Sequence, residues 1–147
     1  MVTKYLFLFP GQGSQASGMA MDLFASSPGV KQLFERAREI TGTDFERLLV
    51  EADADTLKRT DIAQPAITLA NLAAWTRLGE RGIKPAACAG HSLGEYAALC
   101  AAGVLNLDDC MTLVSARGKA MQKAAETILS THRALEEHPE ISGGLAL

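Results

Sequence analysis

The sequence predicts an α/β fold, a parallel sheet flanked by helices, on three observations. Two short apolar runs, Tyr5 to Phe9 and Ala86 to Ala89, have the length and composition of buried strands. Each is followed by a small-residue turn and then an apolar, helix-forming run, Met19 to Phe24 and Tyr96 to Ala102, which is the strand-loop-helix order of an α/β unit. The second turn reads Gly90-His91-Ser92-Leu93-Gly94; G-x-S-x-G between a strand and a helix is the context of a nucleophile elbow.

Taken in order, Tyr5–Phe9 is expected to be a central, buried, parallel strand ending at Pro10. The loop Gly11-Gln12-Gly13-Ser14-Gln15 follows, where glycines let backbone N–H groups approach a ligand closely. It is not a phosphate loop, because G-x-x-x-x-G-K-[ST] is absent and no lysine follows. Ser27-Pro28 supplies a cap and a first-turn proline for a helix with the stripe Val30, Leu33, Phe34, Ala37, Ile40, stopped by Gly42. A shorter helix over Phe45 to Val50 leads to an acidic connector with Glu51, Asp53 and Asp55. Asp61 is expected to cap the next helix, with Gln64-Pro65 in its first turn. From Ile62 to Leu78 that helix is apolar on nearly every side and so belongs in the interior. Its polar interruptions, Gln64 and Asn71, read either as hydrogen-bonded core residues or as groups lining a site. After the elbow helix Gly103 ends the run, and Asn106 or Asp108 starts a helix with the stripe Cys110, Val114, Arg117, Met121. Only two strands are evident, few for an α/β domain.

The 147 residues suit one domain, and 48% hydrophobic with 21% charged residues is ordinary for a soluble globular protein. A net charge of -3 without a Lys/Arg cluster argues against nucleic-acid binding. Lys4 is followed by only five apolar residues before Pro10, too short for a signal-peptide core or a membrane span, so a cytoplasmic protein away from membranes is expected. Cys88, Cys100 and Cys110 form no C-x-x-C pair and lie in apolar segments, the pattern of buried free thiols rather than of a metal site.

Two residues point to chemistry. A serine on a turn as sharp as Gly90–Gly94 sits in strained backbone, and a side chain two residues away on either side would collide with it. Ser92 is thereby lifted above the sheet edge, and the following helix is expected to aim free N–H groups at the oxygen under attack. The competing reading is a glycine-rich turn whose serine caps a helix. Arg117 lies on an apolar stripe, and burying an unpaired guanidinium costs several kcal/mol, so it needs acceptors facing it. A salt bridge to Glu95 or an aspartate would serve; so would a substrate carboxylate held by the planar fork.

Together, Phe9-Pro10-Gly11-Gln12-Gly13-Ser14-Gln15, Asp61-Ile62-Ala63-Gln64-Pro65-Ala66, Gly90-His91-Ser92-Leu93-Gly94-Glu95, and Arg117-Gly118 with Met121 resemble the malonyl-CoA:acyl carrier protein transacylases of fatty acid and polyketide synthesis, over residues 4–125. The resemblance implies an α/β-hydrolase-like large subdomain, present here in part (1–125), with a divergent helical tail (126–147). The remaining sheet strands and a ferredoxin-like small subdomain are missing. It implies malonyl transfer from malonyl-CoA, a substrate rather than a cofactor, through a seryl ester on Ser92 to the phosphopantetheine thiol of acyl carrier protein. The N–H groups of Gln12 and Leu93 would form the oxyanion hole, Arg117 would hold the malonate carboxylate, and His91 and Gln64 would line the substrate pocket. No metal is implied. The base in this family is a histidine well downstream, beyond this chain. Of the histidines present, His91 adjoins the serine, while His132 and His138 lie in the polar run Thr127 to Glu140. Weak or absent turnover is therefore expected, together with self-association or dependence on a missing C-terminal half. The alternatives are a serine hydrolase or thioesterase, and a catalytically dead docking module.

Overall fold

A computed structural model of the chain describes residues 3–137. Strand β1 (Tyr5–Phe9) is followed by helices α1 (Met21–Ser26), α2 (Pro28–Thr41), α3 (Phe45–Glu51), α4 (Ala54–Lys58) and α5 (Thr60–Glu80). Strand β2 (Pro85–Gly90), α6 (Gly94–Ala101) and α7 (Leu107–Glu137) complete the order. The two strands pair in parallel, Phe7 beside Cys88 and Phe9 beside Gly90, with an irregularity at Tyr5/Leu6. The helical crossover between them satisfies the length that parallel pairing needs.

The apolar helix α5 is the axis of the core. Residues 63–69 and 71–73 along it are buried, and it packs against α7, α2 and α6. Phe9 and Leu93 belong to this core together with Ala66, Leu69, Met111 and Val114. Helix α2 presents Val30, Leu33, Phe34 and Ala37 inward; the Ser27 hydroxyl accepts from Val30 N–H at 3.1 Å, and Gly42 closes the helix at φ 74°. Asn106 opens α7, its Oδ1 accepting from Asp109 N–H at 2.8 Å.

Four expectations are corrected. The acidic connector contains a turn of helix, α4, capped by Asp53 through Thr56 N–H. Asp61 does not cap α5: the helix begins at Thr60, Asp61 sits in its first turn paired with Arg59, and Pro65 falls inside the helix rather than in its first turn. Strand β1 is parallel but not central, because the described sheet has only two strands, and neither strand is buried along its length: Leu6 and Leu8 remain 59% and 70% exposed and Ala86, Ala87 and Ala89 of β2 are exposed, while Phe9 is buried. The stripe on α7 is graded, with Cys110 and Val114 buried, Arg117 half-buried and Met121 exposed.

Cys100 and Cys110 are buried free thiols as expected, whereas Cys88 on β2 is only half-buried. Hydrogen bonding to Cys100, reinforced by burial, pushes the Cys110 thiol far above its ordinary value, so it is a neutral packing group. No helix among the described residues is long and apolar enough to cross a membrane.

Candidate active site

Because Phe9 and Gly90 are register partners at the C-terminal ends of their strands, the loops that follow leave the sheet side by side. This is where open α/β sheets place ligands. The loops are stitched together: His91 N–H donates to the Phe9 carbonyl at 3.0 Å, and Gly11 packs against the His91 carbonyl. From α5, Asn71 Nδ2 donates to the Pro10 carbonyl at 3.0 Å, so the buried asparagine serves the loop above it.

The elbow is built by contact. A methyl group at Gly90 would strike the backbone of Gly94 and Glu95, and one at Gly94 would strike the Phe9 carbonyl. Between these glycines Ser92 adopts φ 51°, the left-handed region that costs a non-glycine residue about 1–3 kcal/mol. Ala20 also has a positive φ, 63°, directly before α1 but with no strand end behind it. What distinguishes Ser92 is therefore the strand end behind it and the helix ahead, with its side chain exposed above both.

The N–H groups at the start of α6 are not free, contrary to expectation. Gly94, Glu95 and Tyr96 donate to the carbonyls of His91, Ser92 and Leu93 at 2.9, 3.1 and 3.2 Å. Among the described residues, the N–H groups of Leu93 and Gln12 donate to no protein acceptor. One directly follows Ser92, and the other lies one residue beyond the Gly11–His91 contact. The two donors thus sit on the two loops that meet at the Gly11–His91 contact.

Helix α7 brings Arg117 to the same place. Its Nη2 donates to Ser92 Oγ at 3.4 Å, and its Cζ stands 6.0 Å from the Tyr96 ring centroid. The guanidinium is half-buried, and among the described residues it forms no ion pair. Glu95 is therefore not its partner. The result is a cation beside a hydroxyl, with carboxylate-binding capacity unspent.

Gln64 is fully buried beneath Gln12. Its Nε2 lies 3.4 Å from Gln12 Oε1 and 3.2 Å from Met121 Sδ, while its Oε1 has no partner. His91 is exposed, and His132 is exposed and faces Glu136 one turn along α7 at 3.2 Å. His138 and the terminal Gly143–Leu147 segment lie outside the described residues. Among the described residues Arg117 is the side chain hydrogen-bonded to Ser92. Thr60, Gln122 and Tyr96 also belong to the neighbourhood and were not singled out from sequence. Gln122 falls one helical turn after Gly118, a signal that becomes legible only once α7 is known to pass the start of α5. A cavity of about 460 Å³ lined by Leu33, Arg36, Leu72, Trp75 and Leu105 shares no residue with this site.

The family model for the acyl transferase domain matches residues 6–141, reaching past the 4–125 that carry the motifs. The malonyl CoA-acyl carrier protein transacylase of Bacillus subtilis (strain 168) is 45% identical over 123 residues, covering 84% of this chain and 39% of the relative. An acyl carrier protein S-malonyltransferase from Vibrio cholerae superposes with a TM-score of 0.77 at 43% identity, over 83% of this chain and 40% of the other. A malonyl-transacylase solved in complex with its type II PKS acyl-carrier protein gives a TM-score of 0.77 at 41% identity, again over 83% and 40%. The chain thus spans about two fifths of the length of the relatives it matches, and within that span it carries the large α/β-hydrolase-like subdomain in part; the described residues form no ferredoxin-like subdomain. A serine raised on a strand-to-helix turn, an arginine reaching it from α7 and the match along residues 6–141 lead to one assignment: the chain belongs to the acyl transferase domain family.

Proposed function

We propose that this chain carries the nucleophile and the carboxylate clamp of a cytoplasmic malonyl-CoA:acyl carrier protein transacylase. The observation that supports it most is the 3.4 Å contact of Arg117 Nη2 with Ser92 Oγ. Malonyl has a single methylene between its two carbonyl carbons, so a cation that recognises its free carboxylate must stand close to the atom that is acylated. A longer diacid would need a more distant cation, and a simple ester would need none.

In the first half-reaction Ser92 Oγ bonds to the thioester carbonyl carbon and loses its proton to a base. The N–H groups of Leu93 and Gln12 hold the oxyanion, and collapse breaks the C–S bond, releasing CoA thiolate, which takes a proton. The phosphopantetheine thiol of acyl carrier protein then attacks the seryl ester in the reverse sense, and the Ser92 oxygen leaves and is reprotonated. CoA enters as part of a substrate, so no resident cofactor is required. His91, exposed beside the elbow, and Gln64, buried beneath Gln12, border the malonyl group in this reading. Among the described residues the side chain bonded to Ser92 is the Arg117 cation, which cannot act as its base. The chain alone therefore acylates slowly, because an unassisted serine is a weak nucleophile at neutral pH, and it works with the remaining part of an acyltransferase or self-associates in its absence.

Radiolabelled malonyl-CoA tests the proposal. Label is expected on the native chain and not on Ser92→Ala. Equal labelling of the two would refute the role of Ser92, and release of free acid from simple esters without an acceptor would identify a hydrolase instead.

A further inference from the structure

Helix α5 has no side-chain cap of its own: residue 59 is an arginine, and it accepts nothing. The acceptor comes from another element. Gln122 of α7 reaches across, its Oε1 accepting from Thr60 N–H at 3.0 Å. One turn earlier on α7, Gly118 lies so close that an added methyl would stand 2.9 Å from the Thr60 carbonyl. The N–H of the first residue of α5 is thus bonded by one face of α7, the helix that carries Arg117, and its carbonyl lies close against the same face.

The Thr60 side chain then reaches the glycine loop. Its Oγ1 accepts from Gln12 Nε2 at 3.2 Å, while Gln12 Oε1 faces Gln64 Nε2 at 3.4 Å. The carboxamide of Gln12 is gripped at both ends by the start of α5, although nothing in the loop itself fixes it. Among the described residues its backbone N–H donates to no acceptor, one residue beyond the Gly11–His91 contact at the elbow.

We infer that Thr60 and Gln122 are positioning residues for acyl transfer, tying the Gln12 backbone donor to the helix that bears Arg117 through the chain Gln122–Thr60–Gln12. Neither touches substrate. Their effect is to set the donor for the oxyanion and the clamp for the carboxylate in one rigid frame. The inference rests on the proposed malonyl transfer for its functional consequence, while the mechanical coupling stands apart from it.

The test uses the whole chain with Thr60→Val and Gln122→Met, which keep shape and remove the acceptor, and Thr60→Ser, which keeps it. Both positions are half-buried at the surface, so the folded state tolerates them. Hydrogen exchange followed by mass spectrometry is expected to be about tenfold faster over residues 11–15 in Thr60→Val and Gln122→Met, although these substitutions lie on α5 and α7, and close to native in Thr60→Ser. The saturating rate of Ser92 acylation by malonyl-CoA should fall about tenfold in the first pair with the half-saturating concentration unchanged, since an oxyanion donor acts in the transition state. The double variant Thr60→Val/Gln122→Met should be no slower than the worse single one, because both break one chain. Native exchange over residues 11–15 in Thr60→Val and Gln122→Met overturns the coupling. Equal loss of acylation in Thr60→Ser and Thr60→Val overturns the functional part. If Ser92→Ala labels like the native chain, the malonyl-transfer reading has failed, and the exchange data still decide the coupling.

Discussion

A methyl group at position 94 would run into the Phe9 carbonyl, and the sheet end cannot retreat because the same carbonyl accepts from His91 N–H. Gly94→Ala should therefore cost about 1–3 kcal/mol by overpacking against backbone. Urea denaturation with an unchanged slope checks it. Arg117 makes a different kind of prediction. Its fork reaches Ser92 with one nitrogen and leaves the rest for a ligand, and it is only half-buried, so water partly compensates it when no anion is bound. Under the proposed malonyl transfer, the penalty for acetyl in place of malonyl is then smaller than for a fully buried cation. Arg117→Lys retains charge but loses the planar fork; the ratio of malonyl to acetyl labelling of Ser92 should fall about tenfold. An unchanged ratio would remove the clamp from the mechanism.

At the level of elements, the start of α2 and the end of α5 are locked through Glu80. Its Oε1 accepts from the Ser27 hydroxyl at 2.7 Å and from Gly29 N–H at 3.2 Å, while its Oε2 faces Arg77 at 2.8 Å. The Ser27 hydroxyl first, then Arg77, hold the Glu80 carboxyl below its ordinary value. A depressed carboxylate pKa means the unfolded chain takes up the proton first as pH falls. The stabilisation is complete above the ordinary glutamate value and drains away as pH drops through the lower folded value. Urea midpoints measured from about pH 6 to about pH 3 should fall less steeply in Glu80→Gln than in the native chain. This lock was only half legible in sequence. Ser27-Pro28 announced the cap because capping is local chemistry, and the stripe Val30, Leu33, Phe34, Ala37 announced the buried face. Glu80 lies 53 residues from Ser27 and carries no local signature. The same division holds at the site. The Gly90–Gly94 turn and the misplaced cation at 117 could be read from local pattern, whereas the acceptor for Thr60 could not, because Gln122 supplies it from another helix. Asp61 looked like the cap on local grounds, and a cap from α7 displaced it.

Across the whole molecule, the apolar run YLFLF encodes a strand covered on both faces, yet the described residues cover only part of it. Phe9 is buried and Phe7 packs on the core, while Tyr5, Leu6 and Leu8 stay exposed and the two-stranded sheet has an unpaired edge on each side. Parallel sheets are stable when helices cover both faces, and open apolar edges recruit further strands. On α7 the same holds beyond Met121, where Ile128 and Leu129 are exposed. Local pattern thus calls for more surface to bury than the described residues supply, which fits a chain spanning about two fifths of its relatives. The expected outcome is association: at micromolar concentration the isolated chain should sediment faster than a 15.6 kDa monomer. Leu6→Lys/Leu8→Lys, which charges the open face and leaves Ser92 and Arg117 untouched, should return it toward monomer, as edge lysines do in natural sheets. A sharp monomer for the native chain would mean that the exposed strand is satisfied within the chain itself and that the sheet is not the surface through which it meets a partner.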